Sequence, residues 1–174
     1  MLKPLYAAGK LKKVADQSVP DWDNQKALTI FEQMLQKTNN KIDGVLAAND
    51  GLGNAAISAL KARKLKQIPV TGQDATAQGI QNILAGDQCM TVYKAVRAEA
   101  DAASKLAISL AKGEKPTGVT ASVDNKGTQT PAVLLKPVSV TKDNIKETVI
   151  KDGFLKRSDI CAGKYTSICT SAGI

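Results

Sequence analysis

A short apolar run, a turn and an apolar stripe at helical spacing follow one another three times in this chain. In the first unit, residues 45–48 are apolar without alternation, as expected of a strand buried on both faces of a parallel sheet. The turn formers Asn49, Asp50 and Gly51 end that run, and apolar residues then recur at helical spacing up to Leu60. Such units joined by short connections predict an α/β fold with a doubly wound parallel sheet. The predicted strands are 45–48, 66–71 and 88–93, and the helices that follow them are 52–63, 75–85 and 95–112.

The remaining segments predict further elements on either side of these units. Gly9 and Asp23 indicate a helix end and a helix start, because glycine is common just after a helix and aspartate caps the first turn. From Arg157 onward apolar side chains are few, which predicts a loosely packed tail. The additional predicted elements are helices 1–8, 24–37 and 142–151 and strands 11–15, 119–123 and 132–135.

The composition excludes several classes of catalytic and binding site. The chain has no histidine, so a Ser-His-Asp triad, a Cys-His pair and a histidine metal site are excluded. The net charge of +8 comes mostly from dispersed lysines, and aromatic residues make up only 3% of the chain. Nucleic-acid grooves concentrate arginine beside aromatic platforms, so we expect a solvated lysine surface and no nucleic-acid partner. We also expect no metal and no cofactor.

The cysteines bear on the compartment in which the protein works. Cys161 and Cys169 flank a short polar segment, and a disulfide between them would suit an exported protein. The alternative is three free thiols in a cytosolic chain. Cys89 lies in an apolar run, and we expect it to be a buried free thiol.

Polar residues end three of the predicted strands at one edge of the sheet. Asn49, Asp74 and Lys94 occupy these positions, and Trp22 lies on a loop at the same edge. A carboxylate accepts hydrogen bonds from two neighbouring hydroxyls, an amide donates and accepts, and an ammonium group donates to ring oxygens. An indole face covers the apolar side of a pyranose. The set therefore fits a sugar, although each residue alone also fits the role of a helix cap or turn former.

Four stretches of the sequence are specific enough to indicate a family. Together they resemble the D-xylose-binding group of the periplasmic sugar-binding proteins of the ribose/galactose type. The stretches are NNKIDGVLAAND at 39–50, GQDA at 72–75, TVYK at 91–94 and DNIKETVIKDGF at 143–154. The resemblance implies the solute receptor of a sugar ABC transporter, in which D-xylose lies between two lobes. The residues that match the sugar contacts of that family are Trp22, Asn49, Asp74 and Lys94.

Length separates this chain from the family that it resembles. Members are roughly twice as long, in keeping with two lobes of ordinary domain size, and the chain matches their second half. The resemblance thus implies that the N-terminal lobe is missing and that the full-length protein is extracytoplasmic, although no signal-peptide pattern follows Met1. The implied division is a sugar-binding lobe at 1–93, a part of the other lobe at 94–135, a return at 136–155 and a disulfide-bearing tail at 156–174.

Two other functions share this fold class. One is the effector-binding lobe of a LacI-type repressor, which would need a DNA-binding headpiece. The other is an enzyme on a doubly wound sheet, but the sequence has no GxGxxG motif, P-loop or nucleophile elbow to support catalysis. We therefore expect a binding protein that is not an enzyme and that delivers sugar to an ABC transporter permease.

Residues 95–135 raise the question of what covers their apolar side chains. The resemblance implies that the helix in this segment faces a sheet that this chain does not contain. Three outcomes are then open: the segment repacks on its own lobe, it pairs with another copy, or it stays mobile. We expect pairing, because exchange of an identical element is a low-cost route to a dimer. Half a pocket also predicts millimolar or weaker xylose affinity.

Overall fold

A computed structural model describes residues 2–174 of the chain. It has an α/β architecture, as predicted, in which short strands are outnumbered by helices. The first helix begins at Lys3, and Met1, which the sequence placed in it, lies outside the described residues. The helices are α1 Lys3–Ala7, α2 Asn24–Lys37, α3 Asp50–Ala62, α4 Ala77–Ala85, α5 Val96–Ala111, α6 Arg157–Ile160 and α7 Thr166–Ser171. The strands are β1 Thr91–Tyr93, β2 Ala121–Asn125, β3 Thr128–Ala132 and β4 Val138–Val140.

The starts of helices α2 to α4 are fixed by local capping. The Asp23 carboxylate accepts hydrogen bonds from the backbone N–H groups of Gln25 and Lys26 at the start of α2. The bond from Lys26 also lowers the pKa of Asp23 below its usual 3.8. Thr76 accepts from the N–H of Gly79 at 3.0 Å and so begins α4 two residues later than the sequence predicts.

The helices surround a small region of parallel backbone pairing. Val45 forms a parallel bridge to Val70, with hydrogen bonds from Val45 N to Pro69 O and from Thr71 N to Val45 O. The next segment continues the pattern, since Val92 N donates to Gly72 O and Asp74 N donates to Val92 O. On its other side β1 pairs with β4 in antiparallel register, Thr91 opposite Val140 and Tyr93 opposite Val138.

Two hydrophobic clusters form the core. The first lies between α2 and α3 and includes Phe31, Leu35, Ala59, Leu60 and Val70. The second joins the buried side of α4 to β1, β4 and the C-terminal segment. Its members include Ile80, Ile83, Leu84, Tyr93, Val140, Ile145, Val149, Ile160 and Cys169.

The prediction of a loosely packed tail is wrong. Ile160 and Cys169 are completely buried, and Gln81 of α4 donates a hydrogen bond to the carbonyl of Ile160 at 2.9 Å. A disulfide joins Cys161 to Cys169 and closes this unit of short helices. The few apolar side chains of the tail are therefore enough, because several of them join the same cluster as the buried side of α4. They are Ile160, Cys161, Ile168, Cys169, Ala172 and Ile174. The predicted helix 142–151 is also altered, since its regular part is a π-helical segment at Lys146–Ile150.

The predicted strand at 11–15 is not formed. Leu11 and Val14 are exposed, and no backbone hydrogen bond from this segment to 45–48 occurs among residues 2–174. Lysines at 10, 12 and 13 leave only these two large apolar side chains, so ordering the segment would bury little surface to offset its conformational entropy.

Residues 96–139 have regular structure but no buried side chain. Helix α5 spans 16 residues, and β2 pairs with β3 in an antiparallel hairpin. Its turn is formed by Lys126 and Gly127, which have φ values of 52° and 87°, as a two-residue hairpin turn requires. Within the described residues no helix is both long and apolar enough to pass through a bilayer.

Candidate functional site

Backbone hydrogen bonds align three predicted site residues at one edge of the paired segments. Asp50 N donates to Gln73 O at 2.9 Å, which places Asn49 and Asp74 at neighbouring segment ends. Asp74 N donates to Val92 O, also at 2.9 Å, and thereby places Asp74 beside the segment that ends at Lys94. The order Asn49, Asp74, Lys94 along this edge follows from the parallel pairing.

Asp74 and Lys94 form an ion pair at this edge. Lys94 Nζ lies 2.8 Å from Asp74 Oδ1, and the two side chains are 40% and 42% exposed. A pair this exposed contributes little to folding stability because water screens it. The second carboxylate oxygen of Asp74 accepts no hydrogen bond from any other part of residues 2–174. The pair therefore presents acceptor and donor capacity to a ligand that approaches from solvent.

Asn49 has a structural role in addition to its place at the edge. Its Oδ1 accepts the N–H of Leu52 at 2.9 Å and so caps α3. The alternative of a helix cap is thus correct for Asn49, and Asp50, the first residue of the helix, is not the cap. The amide nitrogen of Asn49 is not used by the cap, so the residue retains two N–H donors for a ligand.

Trp22 lies apart from the charged pair. Its side chain is 60% exposed and lines a cavity of about 490 Å³ together with Gln17, Ala48 and Leu52. Lys94 lines a different cavity of about 200 Å³, with Gln73 and Pro137 among its neighbours. The structure therefore brings Asn49, Asp74 and Lys94 to one edge and leaves Trp22 at a separate opening next to 45–48.

The buried centre beneath this edge is Asp50, which the sequence did not identify. Its side chain is only 2% exposed and accepts hydrogen bonds from Thr76, Gln88 and Thr91. An aspartate after an apolar run followed by glycine has the same local pattern as a helix cap. The only signal in the sequence is indirect, because glycines at 72 and 79 leave room that a Cβ would take from the carboxylate.

Two further groups lie on the segment 88–93 that leads to this edge. The Cys89 thiol is exposed, contrary to prediction, and donates a hydrogen bond to Val70 O. Burial raises the pKa of Tyr93 above its usual 10.0, and the adjacent Asp152 carboxylate raises this pKa further. Within residues 2–174 no three Cys, Asp or Glu side chains are grouped so that they could hold a metal ion.

Comparisons with known proteins relate the chain to periplasmic sugar-binding proteins. The family model described as periplasmic binding protein domain matches residues 1–115. The D-xylose-binding periplasmic protein of Escherichia coli is 45% identical over 161 residues, which are 92% of this chain and 48% of that protein.

Solved structures show the same fold. An ABC transporter solute-binding protein from Clostridium phytofermentans with bound β-D-glucose has a TM-score of 0.79 at 28% identity, covering 91% of this chain and 52% of that one. A carbohydrate transporter solute-binding protein from Chloroflexus aurantiacus in complex with D-glucose has a TM-score of 0.73 at 33% identity, covering 80% and 42%. The chain spans about half the length of the curated relatives that it matches.

Proposed function

The chain belongs to the periplasmic binding protein domain family, and on that premise we propose that it forms one half of a monosaccharide receptor. D-xylose is the preferred sugar, and the binding residues are Asn49, Asp74 and Lys94 with Trp22. The observation that carries the proposal is the half-exposed Asp74–Lys94 ion pair at the edge of the paired segments. An ion pair this exposed contributes little to folding stability, whereas a ligand that approaches from solvent meets both charges at once.

The chemistry of the three edge residues matches a polyhydroxylated ring. The open oxygen of Asp74 accepts a hydroxyl hydrogen, and the remaining N–H bonds of Lys94 donate to a hydroxyl or ring oxygen. The amide of Asn49 adds donors at a position that its own helix cap fixes. Because Asn49 is held rigidly, a sugar that binds there loses less affinity to side-chain ordering.

Trp22 supplies the apolar contact in this proposal. Its large exposed ring is the kind of surface that stacks on sugar C–H groups. The cavity that Trp22 lines also includes Ala48 and Leu52, which lie on either side of Asn49 in the sequence, whereas Lys94 lines a separate cavity. Closure of two lobes around a ligand is common in receptors of this kind and would bring the two openings to one sugar.

We further propose that the full-length protein works outside the cytoplasm and delivers sugar to an ABC transporter permease without catalysing a reaction. The Cys161–Cys169 disulfide supports an oxidising compartment. The names of the relatives, which are periplasmic and sugar-binding, support the location and the absence of catalysis. The other half of the pocket would come from the other half of the full-length protein, so this chain alone binds xylose only at millimolar concentrations or above.

Calorimetry with D-xylose tests the site in a two-lobed protein that carries this sequence. Asp74→Ala and Asn49→Ala should each weaken binding by about 2–4 kcal/mol, because sugar hydroxyls lose their partners. Trp22→Ala should have an effect of comparable size through lost stacking area. Asp43→Ala is the matched control, since Asp43 is exposed before the other end of 45–48. Unchanged affinity in all three site variants would leave these residues as caps and turn formers.

A further inference from the structure

Asp50 is a buried carboxylate with an unusually complete set of donors. Oδ2 accepts from the N–H of Thr76 at 2.8 Å and from its hydroxyl at 3.0 Å. Oδ1 accepts from Gln88 Nε2 at 2.9 Å and from the Thr91 hydroxyl at 2.7 Å. Burial of a carboxylate is unfavourable unless such charge-assisted bonds replace its water. The described residues give Asp50 no cationic partner, so its charge is compensated by hydrogen-bond donors and not by an ion pair.

Neighbouring residues are adapted to this carboxylate. A Cβ at Gly72 or Gly79 would overlap the Asp50 oxygens, so only glycine leaves them room. Gln88 directs its amide nitrogen to Asp50 while its Oε1 is buried without a partner among residues 2–174. An unpaired buried acceptor is unfavourable, so the orientation of the Gln88 amide favours the bond to Asp50 over a partner for Oε1.

The backbone next to the proposed site is strained. Asp74 has φ of 94° and Ala75 has φ of 50°, a region that non-glycine residues rarely adopt. Consecutive residues of this kind persist only where surrounding contacts hold them, and they are common at ligand sites. The Asp74 side chain points to its ion pair with Lys94 from this strained position.

Hydrogen bonds hold three consecutive N–H groups of this turn, and Asp50 is responsible for two of them. Thr76 N binds Asp50 directly, and Ala75 N donates at 3.1 Å to the Thr91 hydroxyl, which itself donates to Asp50. Asp74 N donates to Val92 O, a bond that does not involve Asp50. Removal of the Asp50 network therefore frees the turn on one side of Asp74 only.

We propose that Asp50 is a positioning residue, which sets the conformation of Asp74 through Thr91 and Thr76. The proposal deepens the proposed function and rests on it for the role of Asp74 in sugar binding. Asp50 does not contact the ligand, because it is buried beneath the edge. It fixes the direction in which the Asp74 carboxylate meets a sugar and Lys94.

Amide hydrogen exchange of the whole chain, followed by NMR, tests the positioning role without sugar. The reporter is the Asp74 N–H, whose acceptor Val92 O is untouched by every variant. Thr91→Val removes one hydroxyl and should accelerate exchange at Asp74 at least about tenfold, because the turn beside it opens locally. Thr91→Ser retains the hydroxyl and should restore slow exchange. The control is Thr29→Val, which removes an exposed hydroxyl in α2.

The reference amides are those of Phe31 and Leu35 in the other hydrophobic cluster. Equal acceleration at the reference amides and at Asp74 would show a loss of global stability and overturn the proposal. Unchanged exchange at Asp74 in Thr91→Val would also overturn it. Asp50→Asn should accelerate amide exchange at both Asp74 and Thr76. If the Asp50→Asn protein does not fold, the two Thr91 variants decide the question.

A titration with D-xylose on the same samples separates this proposal from the proposed function. Wild-type protein should show sugar-induced shifts at Asn49, Asp74 and Lys94, and Thr91→Val should require several-fold more xylose for the same shifts. Absence of shifts in the wild type at xylose concentrations far above the millimolar range would contradict the sugar site itself. The exchange result would still decide whether Asp50 positions Asp74.

Discussion

Helices α2 and α5 have similar lengths, 14 and 16 residues, but differ completely in burial. Both carry an apolar stripe at helical spacing. In α2 the stripe meets α3, and Ala27, Phe31 and Leu35 are buried. In α5 none of the side chains is buried, and no other element among residues 2–174 packs extensively against the helix.

The comparison shows that the formation of a helix and the burial of its apolar face have different causes. Local propensity is sufficient for both helices, since α5 is rich in alanine and α2 has a strong aspartate cap. Burial depends on a second apolar surface, which for α2 comes mainly from α3, the next helix in the chain. A helical pattern therefore predicts the element and the face, but not what the face contacts.

A matched pair of leucine variants should give the largest contrast between the two helices. Leu35→Ala in α2 should lower the free energy of unfolding by about 2–5 kcal/mol, because Leu35 is completely buried. Leu110→Ala in α5 should change it by less than about 0.5 kcal/mol, since that side chain is 64% exposed. Urea denaturation at low protein concentration measures both. A loss of equal size at Leu110 would show that α5 packs against the lobe in solution.

The disulfide should have the next largest effect, within the packed region. Replacement of Cys161 and Cys169 by serine should lower the free energy of unfolding by about 2 kcal/mol at most, because the closed loop is short. Alkylation without reductant, followed by peptide mass spectrometry, should label Cys89 alone, whose thiol is exposed. Cys89→Ser is the control for unfolding and should be nearly neutral. Labelling of all three cysteines would contradict the disulfide.

The parts of the fold that the sequence predicted are those that depend on neighbouring residues. Asp23 identifies the start of α2, because capping acts over a few positions. The strands predicted at 119–123 and 132–135 are shifted to Ala121–Asn125 and Thr128–Ala132, where they pair as a hairpin around a two-residue turn. Three site residues meet at one edge since parallel strands end on the same side of a sheet.

The errors concern contacts between distant residues. Asp50 receives its hydrogen bonds from residues 26, 38 and 41 positions away, so nothing near it in sequence distinguishes a buried centre from a helix cap. The tail contains few apolar residues, yet Ile160 is completely buried against α4. The segment 11–15 has the pattern of a strand but buries too little to form one.

The smallest expected effect concerns the surface that covers α5. If a second copy of the chain covers α5, its apolar stripe is buried as the stripe of α2 is. Val96 and Leu110 lie on one face of α5 and are exposed. The first half of the helix carries Glu99 and Asp101 with a single arginine, whereas Lys105 and Lys112 lie in or after the second half. Antiparallel pairing with a second copy would place opposite charges together and bury both stripes.

We therefore expect the isolated chain to form a dimer through α5, as measured by sedimentation. Leu110→Glu places a charge in the paired face and should raise the dimer dissociation constant at least about tenfold. Ala98→Glu is the control, because Ala98 is exposed on the opposite face of the same helix. In a dimer the cost of Leu110→Ala would also rise with protein concentration, since association stabilises the folded chain by mass action. A monodisperse monomer at all concentrations would contradict the pairing and leave α5 as an uncovered surface of this half of the protein.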